Sequence, residues 1–185
     1  MITIRADDMR LAEDALRQIP KGVEKAASRA LNRAIRSGAT AAARKAREEY
    51  YVLHRSIIST IKIHPATESR LIARAVSKGP RRELMDFRVN PTAPRKVPVV
   101  RVAVRKSTGY KDLRGAFVAK GKSTAKTHVL RRAGKERYPI YIKYGPAVPE
   151  MIGSQRVRPF VEERALEVLS MRLEHEIGRL LGGAR

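Results

Sequence analysis

From Tyr138 to Tyr144 two kinds of position alternate, with Tyr138, Ile140 and Ile142 on one side and Pro139, Tyr141 and Lys143 on the other. A period of two belongs to a half-buried strand, and the β-branched and aromatic content agrees. A second apolar run, Ala116–Ala119, stands before the same basic connection, so the stretch from Gly115 to Met151 reads as the element around which the chain is organised. Gly145, Pro146 and Pro149 are expected to stop the sheet there, because proline has no N–H for a ladder and fixes its own φ.

Toward the N-terminus Ile2 and Ile4 alternate with Thr3 and Arg5, a very short strand, and Asp7 and Asp8 offer a cap for a helix to about Gln18. After Pro20 the period becomes 3.6. From about Lys21 to Tyr50, Val23, Ala27, Ala30, Leu31, Ala34, Ala41 and Ala42 share one side of a helix about 45 Å long. Lys25, Arg29, Arg33, Arg36, Arg44 and Arg47 fall on the opposite side. The alanines allow another backbone to approach closely, from the sheet or from a neighbouring copy of the helix. Gly38 weakens the middle of this helix by about 1 kcal/mol relative to alanine.

A short helix is expected in Val52–Ile61, then strands at Ile61–His64, Arg70–Lys78, Leu84–Val89 and Val99–Arg105. In the last of these Val100, Val102 and Val104 lie on one face, after a loop rich in proline (Pro91, Pro94, Pro98). Pro159 suits the first turn of a final helix to about Leu181, with Val161, Ala165, Leu169, Leu173, Ile177 and Leu180 as its apolar stripe and Gly182 and Gly183 at its end. The expected fold is α+β: N-terminal helices including one long amphipathic helix, a central, mostly antiparallel β-sheet with a long basic loop, and a C-terminal helix. It reads as a single domain over 1–185, mainly helical in 1–60, mainly β in 61–145 with the basic loop at about 106–128, and helical again in 157–182. No internal repeat is visible.

Composition narrows the function. At 185 residues and 43% hydrophobic the chain is long enough for one real core. Lysine and arginine number 40 against 18 acids, a formal net charge of +22, which calls for a polyanion or an acidic partner to offset self-repulsion. Without cysteine there is no disulfide, thiolate zinc site or cysteine nucleophile. No stretch approaches the roughly 18 apolar residues of a membrane span, so a soluble, unprocessed protein without membrane contact is expected. His54, His64, His128 and His175 lack metal-ligand spacing, and no nucleophile, base and acid constellation is legible; neither metal, cofactor nor catalysis is expected. Gly121, Lys122, Ser123 and Thr124 resemble the end of a phosphate-binding loop, but its first glycine would fall at Ala116, and the reading is rejected.

The charge is uneven. Between Arg95 and Arg137 stand 14 lysines or arginines and 2 acids, a net +12, whereas Phe160–Arg185 has 4 basic and 5 acidic residues. The final helix therefore reads as a packing or assembly element. The long-helix stripe reads first as a solvated face, while the 95–137 window exceeds what solubility needs and suits sequence-independent phosphate contact. With aromatic residues at 5%, stacking platforms of the single-strand-binding kind are not expected, and no base-reading motif is present.

The run VLRRAGKERYPIYIKYGPAVPEM, Val129–Met151, resembles the prophage minor tail protein Z family, the tail completion proteins of long-tailed phages. Its most specific part is Gly134-Lys135-x-Arg137-Tyr138-Pro139-Ile140, followed by Pro146-Ala147-Val148-Pro149. Ala30-Leu31-Asn32-Arg33-Ala34, Val104-Arg105-Lys106 and Gly115-Ala116-Phe117 add to the resemblance. It implies a virion component at the head-proximal end of the tail, assembled in the host cytoplasm. The implied partners are copies of itself in a ring, commonly sixfold, with tail terminator and head–tail connector proteins. In such a ring Lys120, Lys122, Lys126, Arg131, Arg132, Lys135 and Arg137, with Arg29, Arg33 and Arg36 from the long helix, are the candidate contacts to the end of the packaged DNA. Tyr138, Pro139 and Pro149 are read as structural. Composition alone supports equally a free, sequence-independent nucleic-acid-binding protein of ribosomal or nucleoid type, and a third reading turns the basic surface toward acidic neck proteins.

Overall fold

The computed structural model describes residues 2–5, 21–121 and 125–182. In chain order the elements are β1 (Ile2–Arg5), α1 (Gly22–Glu49), α2 (His54–Ile58), β2 (Ile61–His64), β3 (Ile72–Ser77), β4 (Arg81–Glu83), a 3-10 turn (Leu84–Asp86), β5 (Arg88–Asn90), β6 (Val100–Ala103), β7 (Lys111–Leu113), β8 (Ala116–Lys120), β9 (Thr127–Arg132), β10 (Ile140–Ile142), β11 (Tyr144–Ala147), α3 (Val148–Ile152) and α4 (Arg158–Gly182). The architecture is α+β, with the long helix first, antiparallel strands in the middle and a long helix last. The helix expected between Asp7 and Gln18 lies outside the described residues.

Helix α1, rather than the 115–151 stretch, is the spine to which the other elements attach. Its 28 residues contain no proline, so the hydrogen-bond ladder runs unbroken for about 42 Å. The N-terminal half buries Ala30, Leu31, Ala34 and Ile35 against Ala165, Val168 and Leu169 of α4 and against Ala66, Ala73 and Ala75 of the β2–β3 region. The C-terminal half buries Ala42, Ala43 and Ala46 in a second cluster with Val89, Val100, Val102, Val118, Val129 and Met151. The small side chains expected to permit close approach thus meet a helix and sheets of the same chain. At Gly38 an added Cβ would stand 3.3 Å from the Ala165 Cβ, so this glycine marks the close contact between α1 and α4.

Every strand pair among the described residues is antiparallel, in four ladders ordered β1-β3-β2, β5-β6-β7, β8-β9-β10 and β4-β11. The expected strands at Ile2–Arg5, Ile61–His64, Arg70–Lys78 and Val99–Arg105 are present. Leu84–Val89 is instead a 3-10 turn leading into β5. Much of the basic loop expected at about 106–128 is strand: β7, β8 and the start of β9.

Gly145 and Pro146 do not stop the sheet. The backbone at Lys143 changes ladders: its N–H donates to Val129 O at 2.8 Å, while its C=O accepts from Leu84 N–H at 3.1 Å. The chain then runs on as β11, pairing Tyr144 with Glu83 and Ala147 with Arg81, with a register shift between them that accommodates the proline. Gly145 is required because a Cβ there would lie 2.6 Å from the Phe87 ring, itself buried in the core. After β11, α3 begins at once. Glu150 in its first turn accepts a hydrogen bond from the Ala147 N–H at 3.3 Å, and Pro149 occupies a first-turn position where its missing N–H costs nothing.

Candidate nucleic-acid interface

The β8–β9 hairpin separates the basic residues of the central window into two groups. Its register places Lys120 opposite Thr127 and Ala116 opposite Arg131, so Lys120 and Lys126 stand at the turn end while Arg131 and Arg132 stand about 13 Å away. Lys135 and Arg137 follow, exposed, in the connection to β10, which the Ala133 N–H closes by donating to Pro139 O at 3.0 Å. Arg132 lies over the Phe117 ring at 5.6 Å and Arg137 over Tyr138 at 5.7 Å, so both guanidiniums rest on aromatic faces. Lys122 lies outside the described residues.

Lys126 is engaged within the protein. Its Nζ donates to Glu83 Oε1 at 3.1 Å, and the other carboxylate oxygen is 2.7 Å from His128 Nδ1, which carries the proton as donor to a carboxylate. Burial of Glu83 opposes its ionisation, but the hydrogen bonds and charges of Lys126 and His128 outweigh it and hold the carboxyl below the ordinary glutamate value. This trio ties the hairpin to β4.

On α1, Arg29 reaches Glu176 of α4 at 3.5 Å, a carboxylate that Arg179 also holds at 2.8 Å. Arg33 and Arg36 face a groove of about 350 Å³ between the two long helices, and Arg164 and Arg172 of α4 complete it. Ser37, Thr40, Val168 and Met171 form the rest of its wall. Only Arg164 of the four arginines has an ion-pair partner among the described residues, Glu167 at 2.6 Å. Counting the near-neutral net charge of the last helix conceals Arg164 and Arg172. Their spacing of eight, close to two turns, puts both on the α1 side, and that spacing is the signal a net count discards. No described cavity is lined by residues from both the hairpin and this groove.

A third basic cluster is invisible in the sequence. Arg88 lies over the rings of Tyr51 and Tyr110 at 5.5 and 5.7 Å, Arg101 over Tyr110 at 6.0 Å, and Lys106 over Tyr51 at 5.8 Å. Tyr51, beside the Arg88 guanidinium, and Tyr110 hold it in its charged form even more firmly than usual. Backbone pairing assembles the group: Tyr51 N–H donates to Val104 O at 3.0 Å and Lys106 N–H to Glu49 O at 2.9 Å, stitching the end of α1 to the segment just after β6. Two tyrosines suffice, because three cations distant in sequence, Arg88, Arg101 and Lys106, are gathered around them. The rings support cations rather than offering open stacking faces.

Among the described residues no group of three His, Asp or Glu side chains could hold a metal ion, and no helix is long and apolar enough to cross a membrane. A family profile described as Prophage minor tail protein Z matches residues 9–182, nearly the whole chain. The chain belongs to the prophage minor tail protein Z family. No curated protein and no solved structure gives a significant match to it. Membership assigns this minor tail protein a structural role in a phage tail, a place in the virion and contacts with other phage structural proteins. The resemblance carried by Val129–Met151 thus extends to α1 and α4, the elements that build the arginine groove.

Proposed function

We propose that this protein is a non-enzymatic tail completion component at the head-proximal end of the tail, assembling into a ring, commonly sixfold, that makes the tail competent to join the filled head. Its basic surfaces contact the leading end of the packaged DNA without reading sequence. The observation that carries the DNA contact is the α1–α4 groove, where Arg33, Arg36, Arg164 and Arg172 converge with a single carboxylate partner, Glu167, among the described residues. Arg131, Arg132, Lys135 and Arg137 at the far end of the β8–β9 hairpin form a second exposed set. Repeated around a ring, such sets make a positive sleeve that holds phosphates by charge alone. The sheets and the last helix are left to supply contacts with neighbouring copies and with tail terminator and connector proteins.

Replacing Arg33, Arg36, Arg164 and Arg172 by alanine tests this role. The monomer should fold, since none of the four belongs to the buried core, while the tails should join heads poorly or the particles should fail to deliver DNA. In vitro the slope of log affinity against log salt for duplex DNA should fall in magnitude by about 3.6, at about 0.9 per lost phosphate contact. Normal infectivity with an unchanged slope would refute the DNA-holding role. A wild-type protein that stays monomeric on tail tubes yet binds DNA tightly would instead favour the free nucleic-acid-binding reading that its net charge of +22 also allows.

A further inference from the structure

Beside the aromatic-supported cluster lies an open cavity of about 350 Å³ whose wall is largely apolar, with Tyr51, Val52, Leu53 and Phe87, and whose cations are Arg47, Arg88 and Lys106. Leu53 at its rim is 62% exposed. The one carboxylate lining it, Asp86, is already held by Arg82 at 3.1 Å. A phosphate backbone would satisfy the cations but leave the leucine and the apolar wall in water. The fitting occupant is an apolar side chain flanked by carboxylates.

The same chain presents such a surface. On α4 the positions Glu163, Leu166, Ser170 and Glu174 recur at helical spacing on the side away from α1, all exposed, with Leu166 at 52%. Glu163 and Glu174 have no ion-pair partner among the described residues. This acidic, apolar-centred stripe and the cationic, apolar-floored cavity stand on different elements, and among the described residues both lie open. We infer that the outer stripe of α4 on one copy docks into the Arg47–Arg88–Lys106 cavity of the next. Leu166 meets Leu53, and Glu163 and Glu174 meet the cations. The contact is heterologous, joining two different surfaces, and therefore propagates around a ring; it rests on the reading that this protein assembles as one.

Sedimentation velocity of the full chain across a salt series tests the pairing. Arg88→Glu with Lys106→Glu, and separately Glu163→Lys with Glu174→Lys, should each weaken self-association by at least about tenfold, since like charges then face one another. An equal mixture of the two reversed proteins should recover assembly, because each then offers the surface the other lacks; recovery also shows that both are folded. Failure of the mixture to recover, or reversed proteins that assemble like the wild type, overturns the pairing and leaves the ring reading standing. A wild-type protein that forms no oligomer, even on tail tubes, overturns the ring reading and the pairing with it. Should the first variant assemble normally while losing affinity for duplex DNA, the cavity is a nucleic-acid surface and the inference is wrong.

Discussion

Asn32 sits in the middle of α1, where an asparagine has poor helix preference. Its side-chain amide makes a reciprocal pair with the backbone of Ala66: Nδ2 donates to Ala66 O at 2.9 Å, and Ala66 N–H donates to Oδ1 at 2.7 Å. One side chain thereby satisfies both backbone groups of a buried residue in the β2–β3 connection. Asn32→Ala leaves them without those partners, and we expect a loss of about 1–3 kcal/mol in urea denaturation. The Ala30–Ala34 motif contains this asparagine, but nothing local reveals that it clamps a segment more than thirty residues away. Glu83 is the second such residue. Its folded-state pKa is depressed, so the stability it contributes is complete above the unfolded value and drains away as pH falls through the folded one. A urea series in pH should show the acid limb of wild-type stability flattened in Glu83→Gln. An unaltered limb would mean that the Lys126–Glu83–His128 trio does not hold the hairpin.

At the scale of elements, the helix pair shows how a residue unfavourable locally becomes necessary in its place. Gly38 costs α1 about 1 kcal/mol in helix propensity, yet its missing side chain lets α4 approach, with Ala165 in its contact. Gly38→Val should destabilise by about 1–3 kcal/mol despite the better backbone, because the overpacked site must push two long helices apart. A thermal melt at or above the wild-type midpoint would place the helices further apart than described. The hairpin makes the complementary point. Strand pairing puts Arg131 and Arg132 at one end and Lys120 at the other, so a window counted as one block of +12 becomes separate sets of cations.

For the whole molecule, charge governs behaviour in solution. With 40 basic and 18 acidic residues, and several of the acids committed to local ion pairs, the isolated chain repels itself at long range. Its melting temperature should therefore rise between about 10 and 150 mM salt, as the screening length falls from about 30 to 8 Å. A short duplex DNA at low salt should raise it further, because folding gathers the cations onto surfaces that bind it more tightly than the unfolded chain does. A melting temperature indifferent to both would show that repulsion among the cations does not limit the stability of the fold.

Class and order of the elements were legible from local pattern alone. Hydrophobic period is a local property, so the 3.6-residue stripe of α1, the final helix and the alternating strands at Ile61–His64 and Val99–Arg105 were legible without any neighbour. The sequence also carries the excess of positive charge and, through Gly134–Ile140 and Pro146–Pro149, identifies the family. Which residues meet depends on the folded arrangement. The arginine groove needs Arg33 and Arg36 beside Arg164 and Arg172, and the aromatic cluster needs Tyr51, Arg88, Arg101 and Tyr110 brought together across β5 and β6. The strand Tyr144–Ala147 forms because β4 offers an edge to pair with, and residue 145 must be glycine because Phe87 lies where its side chain would stand, two facts no window around Gly145-Pro146 contains. Periodicity reports the face a residue presents; what waits on the other side is set by chain connections far away in sequence.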